Sequence, residues 1–403
     1  VADVQTNRPA LLKSPRFAGL VALALAAELG YAVLNISTLP VYLRQERGLP
    51  EGKIGLALVA FLLSEALFKS FMGRLADRFG PRPFMLAGPA LSLVACLATL
   101  ALPNGPLAFP AILALRVVDG LAAATFWPAA FSYAGDLTEP NRRQEAMSLL
   151  NLCYLLGLAV ALPLGGLVDD LAHSARAGLF LAAGLFAVTG TLSLAFVHAP
   201  HASQPEPETA KLGLDLAILA PVLLTLVTFV GVGFPMAILK LFAVDALHLT
   251  ETQFGALVIP GALAMAALSV PLARVGQRLG STNSVRLGLG LCAAGMSAIA
   301  AGAGLPALRN LAVLAVAAIP VGLGFVLALP AWMAAVSQID PKRQGSNLGA
   351  VMAAQGFGAI VGAPIGALLY EHGHYSPFIA CAACIWAGWL LSLAILKPAK
   401  PLT

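Results

Sequence analysis

Gly73-Arg74-Leu75-Ala76-Asp77-Arg78-Phe79-Gly80-Pro81-Arg82 is a polar, charge-dense interruption of an otherwise apolar chain, and its reading decides the fold. Arg74, Asp77, Arg78 and Arg82 crowd together, while Gly80, Pro81 and Pro83 end one helix and start the next. That combination describes a tight charged turn at a membrane surface. The composition agrees: 403 residues, 59% hydrophobic, 11% charged, with a mean hydropathy of +0.87, exclude an ordinary soluble domain. A helical span takes about 20 apolar residues. Twelve such segments are predicted, near 17–43, 51–74, 82–103, 107–136, 144–169, 175–198, 216–244, 252–276, 283–304, 309–337, 345–370 and 376–396. A membrane β-barrel is excluded, because its strict alternation is absent and the apolar runs are too long for it.

Lys and Arg set the expected orientation. With the N-terminus in the cytoplasm, sixteen of them lie inside, among them Arg74, Arg78, Arg82, Arg142, Arg143, Lys342 and Arg343. Five lie outside (Arg44, Arg47, Lys53, Arg176, Arg309), and Lys69, Arg116 and Lys240 fall within spans. Both termini are therefore expected in the cytoplasm. The net charge of +5 is then an inner-surface feature and carries no nucleic-acid reading. No short apolar core with a small-residue cleavage site precedes the first segment, which is expected to be a retained span. The five cysteines all fall in spans, so neither a disulfide framework nor a zinc site is expected. Glu371, His372 and His374 share an outer loop but lack a complete ligand set, and no metal is expected there.

The chain repeats itself. Leu49-Pro50-Glu51-Gly52-Lys53-Ile54-Gly55 returns as Leu249-Thr250-Glu251-Thr252-Gln253-Phe254-Gly255, an offset of 200 that also sets Arg74, Arg78, Gly80 and Gly88 over Arg274, Arg278, Gly280 and Gly288. Gly157, Pro163, Gly165 and Gly166 correspond to Gly358, Pro364, Gly366 and Ala367 at an offset of 201, with Gly362 over Ala161. The organisation expected is a six-helix bundle over 1–198, a polar linker over 199–215 containing Pro200, Pro205 and Pro207, and a second bundle over 216–403. An even number of crossings gives both copies the same orientation, related by an axis along the membrane normal. Asp77 is replaced by Gln277 in the second copy.

Gly73, Leu75, Ala76, Asp77, Arg78, Gly80 and Arg82 match the pattern G-x-L-a-D-r-x-G-r-[KR]-x, with Pro81 in place of its usual basic residue. The stretch thus resembles the loop between helices 2 and 3 of the major facilitator superfamily. That resemblance implies a cytoplasmic gate latch, in which Asp77 pairs with Arg and with a neighbouring helix end when the transporter faces outward. A positive-inside anchor is the plainer reading, and the two are compatible. The glycine and proline runs of the fifth and eleventh segments (Gly157, Pro163, Gly165, Gly166; Gly358, Gly362, Pro364) read as hinges, giving the close, bendable contact between halves that rocking requires. The fifth segment resembles the antiporter motif G-x3-G-P-x2-G-G, with Ala161 for a glycine and the proline one residue late.

A charge inside a span costs about 2.5 to 3.5 kcal/mol even on lenient scales, so the intramembrane charges select the candidate sites. Glu28, Tyr31, Asn35 and Thr38 form one polar stripe on the first segment. Glu65 and Lys69 are spaced for a local ion pair, read as structural. Arg116-Val117-Val118-Asp119-Gly120 resembles the superfamily's R-x-x-q-G pattern on helix 4, with Asp119 for Gln. The resemblance implies that Arg116 influences protonation of a helix 1 acid. Glu28, which has no partner on its own helix, is the expected proton-coupling group, with Asp119 as a second site or a fixed partner of Arg116. Burial and a nearby cation act oppositely on a carboxyl group's hold on its proton, so relative movement can load and release it. Tyr31, Asn35, Trp127, Phe131, Phe234, Trp332 and Gln355 are the expected lining of a mainly apolar substrate cavity.

The resemblance spans nearly the whole chain and is nearest to the twelve-helix drug:proton antiporter family. It implies a monomeric secondary transporter in a bacterial inner membrane that exports small lipophilic or drug-like compounds by alternating access. The energy source would be the proton gradient, without a cofactor. A metabolite, sugar or lysolipid carrier of the same fold is the alternative, and a non-transporting membrane sensor is a more distant one. No nucleophile, base and oxyanion set points to an enzyme.

Overall fold

The computed structural model describes residues 11–198, 216–245, 247, 265, 267–268, 271–308 and 311–396. The linker at 199–215, the second repeat copy at 249–255, and the side chains of Pro163 and Lys240 lie outside the described residues.

Apolar, Ala- and Leu-rich runs bounded by Gly, Pro and charged clusters form the helices α1 (Pro15–Gln45), α2 (Glu51–Phe79), α3 (Pro81–Ala101), α4 (Ala108–Asp136), α5 (Arg143–Ala172) and α6 (Arg176–Phe196). They continue as α7 (Leu216–Asp245), α8 (271–279), α9 (Ser281–Ala300), α10 (Leu311–Ser337), α11 (Gln344–His372) and α12 (Ser376–Ile395). Among the described residues, ten helices are long and apolar enough to cross a membrane, and the architecture is all-α. The chain is a multi-pass membrane protein.

The turn that opened the sequence reading closes α2 at Gly80, whose φ of +83° suits a residue without a Cβ. Its counterpart Gly280 has φ +78°, so the repeat is visible in the backbone as well as in the residues. In α1 the turn over Val33–Thr38 widens to π geometry, with the Leu39 N–H donating to the Leu34 carbonyl. Pro40 has no N–H to close the ordinary turn before it, and the helix relaxes locally around Asn35.

In the first half α2 and α3 pack on α4, and α1 packs on α5 and α6; in the second, α7 packs on α11 and α12, and α9 on α10 and α12. The halves meet where α2 runs along α11 and where α5 meets α10. Gly73 is required in that seam, because a Cβ there would overlap the carbonyl of Gly345, whose own Cβ would stand 2.6 Å from the Gly73 carbonyl. Small residues let the two backbones touch from the charged end as far as Ala66 and Gly356.

The glycine runs expected to join the halves do something else. Gly157 and Gly165 face Glu28, Ser37 and Thr38 of α1, while Gly358, Gly362 and Gly366 face α7 between Leu226 and Phe234. Each run seats one helix on its neighbour within its own half. The larger contact between halves belongs to α2 and α11, a smaller one to α5 and α10.

Candidate functional site

Asp77 sits at the charged end of the seam. The N–H of Gly345 donates to its Oδ1 and that of Ser346 to its Oδ2, both at 2.6 Å. These donors belong to the first turn of α11, where N–H groups have no partner within the helix, so a carboxylate from the other half caps the helix and meets the positive end of its dipole. The expected pairing with a neighbouring helix end is what the geometry shows. Among the described residues no Arg joins it; Arg78 lies over the Phe79 ring instead, at 5.2 Å. Arg143 donates to the Ser337 carbonyl at the end of α10 at 3.1 Å, and Gln344 donates to Asp136 at 3.3 Å, so the two halves are latched together at this end. At the repeat-related place the side-chain amide of Gln144 lies beside Gly276, and the Nε2 atoms of Gln144 and Gln277 are buried without partners among the described residues.

Deeper in the first half Glu28 is only 4% exposed. Gly157 makes room for it: a Cβ there would overlap the Glu28 Cγ. The charged groups that act on Glu28 are Glu65 and Lys69 of α2, which pair at 2.7 Å. Arg116 is closed on its own helix by Asp119 at 3.1 Å, with both side chains fully buried. Asn35 and Ser92 lie beside the Asp119 carboxyl, and the Ser92 hydroxyl donates to Tyr31 Oη at 3.3 Å. One oxygen of Asp119 and the Nε and Nη2 of Arg116 have no partner among the described residues. Tyr31, Asn35 and Ser92 thus gather about the Asp119 end of the pair, whereas Glu28, expected to be tuned by Arg116, has Gly157 of α5 and the Glu65–Lys69 pair of α2 as its neighbours.

Trp127 stands 6.0 Å from Phe131 and 6.4 Å, edge-on, from Tyr154 of α5, forming an aromatic wall near Glu28. Sequence reasoning missed Ser92, Asn151 and Tyr154. Asn151 is a buried amide in the apolar run of α5, with an unpartnered Nδ2. A lone amide within a span was the signal available for it.

The second half is built differently. A cavity of about 60 Å³ between α7, α9, α10 and α12 is lined by Thr225, Thr228, Phe229, Leu289, Phe325 and Trp332, among other apolar groups. The Trp332 indole donates to Thr225 Oγ1 at 2.9 Å, which satisfies the one polar edge of the ring. Phe234 is buried where α7 meets Gly366 of α11, apart from this cavity, and the Gln355 Nε2 is buried without a partner among the described residues.

Comparison with known proteins bears on what such a site serves. Quinolone resistance protein NorA of Staphylococcus aureus (strain MSSA476) is 23% identical over 236 residues, a match that spans 57% of this chain and 59% of that relative. The class C tetracycline resistance protein of Escherichia coli is 25% identical over 356 residues, covering 85% of this chain and 84% of the relative. A bacterial homologue of the iron transporter ferroportin, in an outward-facing state, shares the fold with a TM-score of 0.79 at 15% identity, over 94% of this chain and 99% of that one. The human organic anion transporter MFSD10 does so with a TM-score of 0.78 at 16% identity, over 96% of this chain and 100% of that one. The sequence profile described as Major Facilitator Superfamily matches residues 20–222 and again 222–403, and with both halves matched the chain belongs to that superfamily of membrane transporters.

Proposed function

We propose that the protein exports small lipophilic or drug-like compounds in exchange for protons, by alternating access of its two six-helix halves, residues 1–198 and 216–403 joined by 199–215. In this reading it works as a monomer in a bacterial inner membrane, with the charged end and both termini in the cytoplasm, and uses the proton gradient without a cofactor. The observation that carries the proposal is Glu28, a carboxyl group buried on α1 against Gly157, with Glu65 and Lys69 as its charged neighbours. An acid so placed is costly if always ionised, so a cycle in which it takes up and gives up a proton relieves that cost.

The mechanism follows from α2. The same helix carries Asp77 at the latch and the Glu65–Lys69 pair beside Glu28. When the cap on α11 releases, α2 parts from α11 along the glycine seam, and Lys69 changes its position and its hydration relative to Glu28. Gate opening and the acid's hold on its proton are thereby linked. Arg116 and Asp119 form a fully buried pair on α4 beside Tyr31, Asn35 and Ser92, so in this state they serve the first half as a charged interior rather than as a surface for cargo. The apolar cavity beside Trp332 suits an aromatic or aliphatic body. The names of the quinolone and tetracycline resistance relatives support this class of cargo.

Purified protein in proteoliposomes, with an imposed pH gradient and a panel of lipophilic dyes, quinolones and tetracyclines, tests the proposal. The expected result is uphill movement that collapses with a protonophore and is lost in Glu28→Gln, which still binds cargo. Full proton-driven accumulation by Glu28→Gln, with loss in Asp119→Asn, moves the proton site to α4. Retention in both variants ends the antiport reading.

A further inference from the structure

α9 and α12 leave a groove of about 420 Å³ on the outer flank of the second half, away from the seam and from the Trp332 cavity. It is lined by Arg286, Leu287, Gly290, Leu291, Trp386 and Trp389. Its floor is aromatic: Trp386 and Trp389 meet edge to face at 5.4 Å, and Trp386 is 39% exposed. Gly290 keeps the middle open, because a Cβ there would come within 3.3 Å of the Trp389 indole nitrogen.

The cation sits at one end. Arg286 Nη2 donates to the carbonyls of Leu393 and Leu396 at 3.3 and 2.6 Å, which holds the guanidinium at the last turn of α12, while its Nε is buried without a partner among the described residues. That end is the charged end of the molecule, since α9 starts at Ser281, just after α8, and Gly276 of α8 lies beside Gln144 of the latch. Arg286 is five residues into α9, about 7.5 Å below its start. Trp389 and Trp386 come six and nine residues before the end of α12, about 9 and 14 Å deep. The hydrocarbon of one leaflet is about 15 Å thick. The guanidinium, held at the last carbonyls of α12, is therefore nearer the charged end than the two indoles, which places it on the headgroup side and them along the path of an acyl chain.

We propose that this groove binds one anionic phospholipid of the leaflet at the charged end, its phosphate at Arg286 and one acyl chain over Leu287, Leu291 and the Trp386–Trp389 pair. Charge complementarity selects the headgroup: one basic residue at an anionic surface favours an acidic over a zwitterionic lipid about fivefold. The apolar floor is indifferent to headgroup and supplies the remaining contact. The inference is independent of the transport reading, since the groove touches neither Glu28 nor the latch.

The test uses the full-length protein in phosphatidylcholine vesicles with rising fractions of bromine-labelled phosphatidylglycerol or bromine-labelled phosphatidylcholine, read by tryptophan fluorescence. Trp127 and Trp332 are buried, so quenching by acyl chains reports on the groove. Labelled phosphatidylglycerol should quench at about a fivefold lower fraction than labelled phosphatidylcholine. That preference should fall to about one in Arg286→Gln. Because Arg286 also holds the end of α12, Gly290→Leu provides the second variant: it fills the groove without touching the guanidinium and should lower quenching by both lipids. Equal quenching by the two lipids in the unaltered protein overturns the proposal, as does a preference that survives both substitutions. A dimer in the unaltered protein that falls to monomer on Gly290→Leu would overturn the proposal and assign the groove to a second copy of the chain instead.

Discussion

In both halves a glycine of the fifth helix of the bundle lies against the first helix, yet the side chain it meets is Glu28 in one and Phe229 in the other. Gly157 faces the Cβ and Cγ of Glu28; Gly358 faces the Cβ of Phe229. The two positions are 201 residues apart, as the glycines are. Backbone relations have survived duplication while side-chain chemistry has divided. Among the described residues every buried Asp, Glu and Arg belongs to the first half, and the cavity of the second half is lined by apolar groups, Thr225 and Thr228. The latch divides in the same way, with Asp77 capping α11 and the Gln277 Nε2 buried without a partner among the described residues. The contrast teaches that a pseudo-symmetric frame lets one half hold charge while the other accommodates apolar bulk.

The largest effect should come from making the first half half-apolar. Asp119→Leu leaves the fully buried Arg116 guanidinium unpaired, and a loss of about 3 to 5 kcal/mol is expected. Arg116→Met together with Asp119→Leu removes both charges and should recover most of that loss. Thermal unfolding of the purified variants in one detergent reads the difference. Equal destabilisation by the single and the double change would show that the charges do not act as a closed pair.

Converting the second half toward the first is the reciprocal change. Phe229→Glu places a carboxyl group where apolar side chains, the hydroxyls of Thr225 and Thr228 and the Gly358 backbone wait, with no charged group in the lining, at a cost of about 2.5 to 3.5 kcal/mol. Combined with Glu28→Gln it should not restore proton-driven transport, because the positions 200 residues on from Glu65 and Lys69 are Met265 and Ser269, which carry no charge. Restored coupling in vesicles would mean that the halves are interchangeable.

Much of this was legible beforehand. Hydropathy and the Gly80–Pro81 turn anticipated the helices of the described residues, the span expected at 252–276 lying mostly outside them, since apolar length and backbone breaks are local properties. The offset between Gly80 and Gly280 anticipated a shared left-handed turn for the same reason. Arg116 and Asp119 were readable as a pair by their spacing on one helix. The Glu28–Gly157 contact was not, because it joins helices whose mutual rotation depends on packing across the whole bundle. Nor did spacing show that the glycine runs of α5 and α11 seat those helices within their own halves, or that Asp77 chooses backbone N–H groups over arginine. Small-residue patterns say that something comes close without saying what does.

The latch predicts an effect of intermediate size. Asp77→Asn turns one acceptor oxygen into an NH2 group facing a backbone N–H, so α11 loses part of its cap and the charged end should open by about 1 to 3 kcal/mol. Gln277→Asp offers the start of α5 a carboxylate in the corresponding place and should shift the balance the other way by about 0.5 to 1 kcal/mol. Labelling of single cysteines at the charged end measures both. Unchanged labelling in Asp77→Asn would reduce the loop to a topological anchor.

The smallest effect is expected at the Trp332 cavity, where the division between halves can be tested without disturbing a charge. Thr225→Val keeps the shape of the side chain and removes the acceptor of the indole N–H, 2.9 Å away, in a site otherwise lined by apolar atoms. Thr225 also donates to the Pro221 carbonyl, so its hydroxyl is oriented within its own helix and cannot easily be replaced by a neighbour. An unpaired buried N–H costs about 1 kcal/mol or a little more, and the ring should turn to recover a partner, altering the wall of the cavity. Binding of an aromatic cargo should then weaken by about fivefold, measured by equilibrium binding to the purified protein. Trp332→Phe, which removes the donor along with the indole, should leave Thr225 satisfied by Pro221 and weaken binding through lost contact area alone. In both variants the ratio of protons to cargo should stay at its original value, because Glu28, Glu65 and Lys69 all lie in the other half. A changed ratio with unchanged affinity would reverse the assignment and place the cavity of the second half in the coupling machinery.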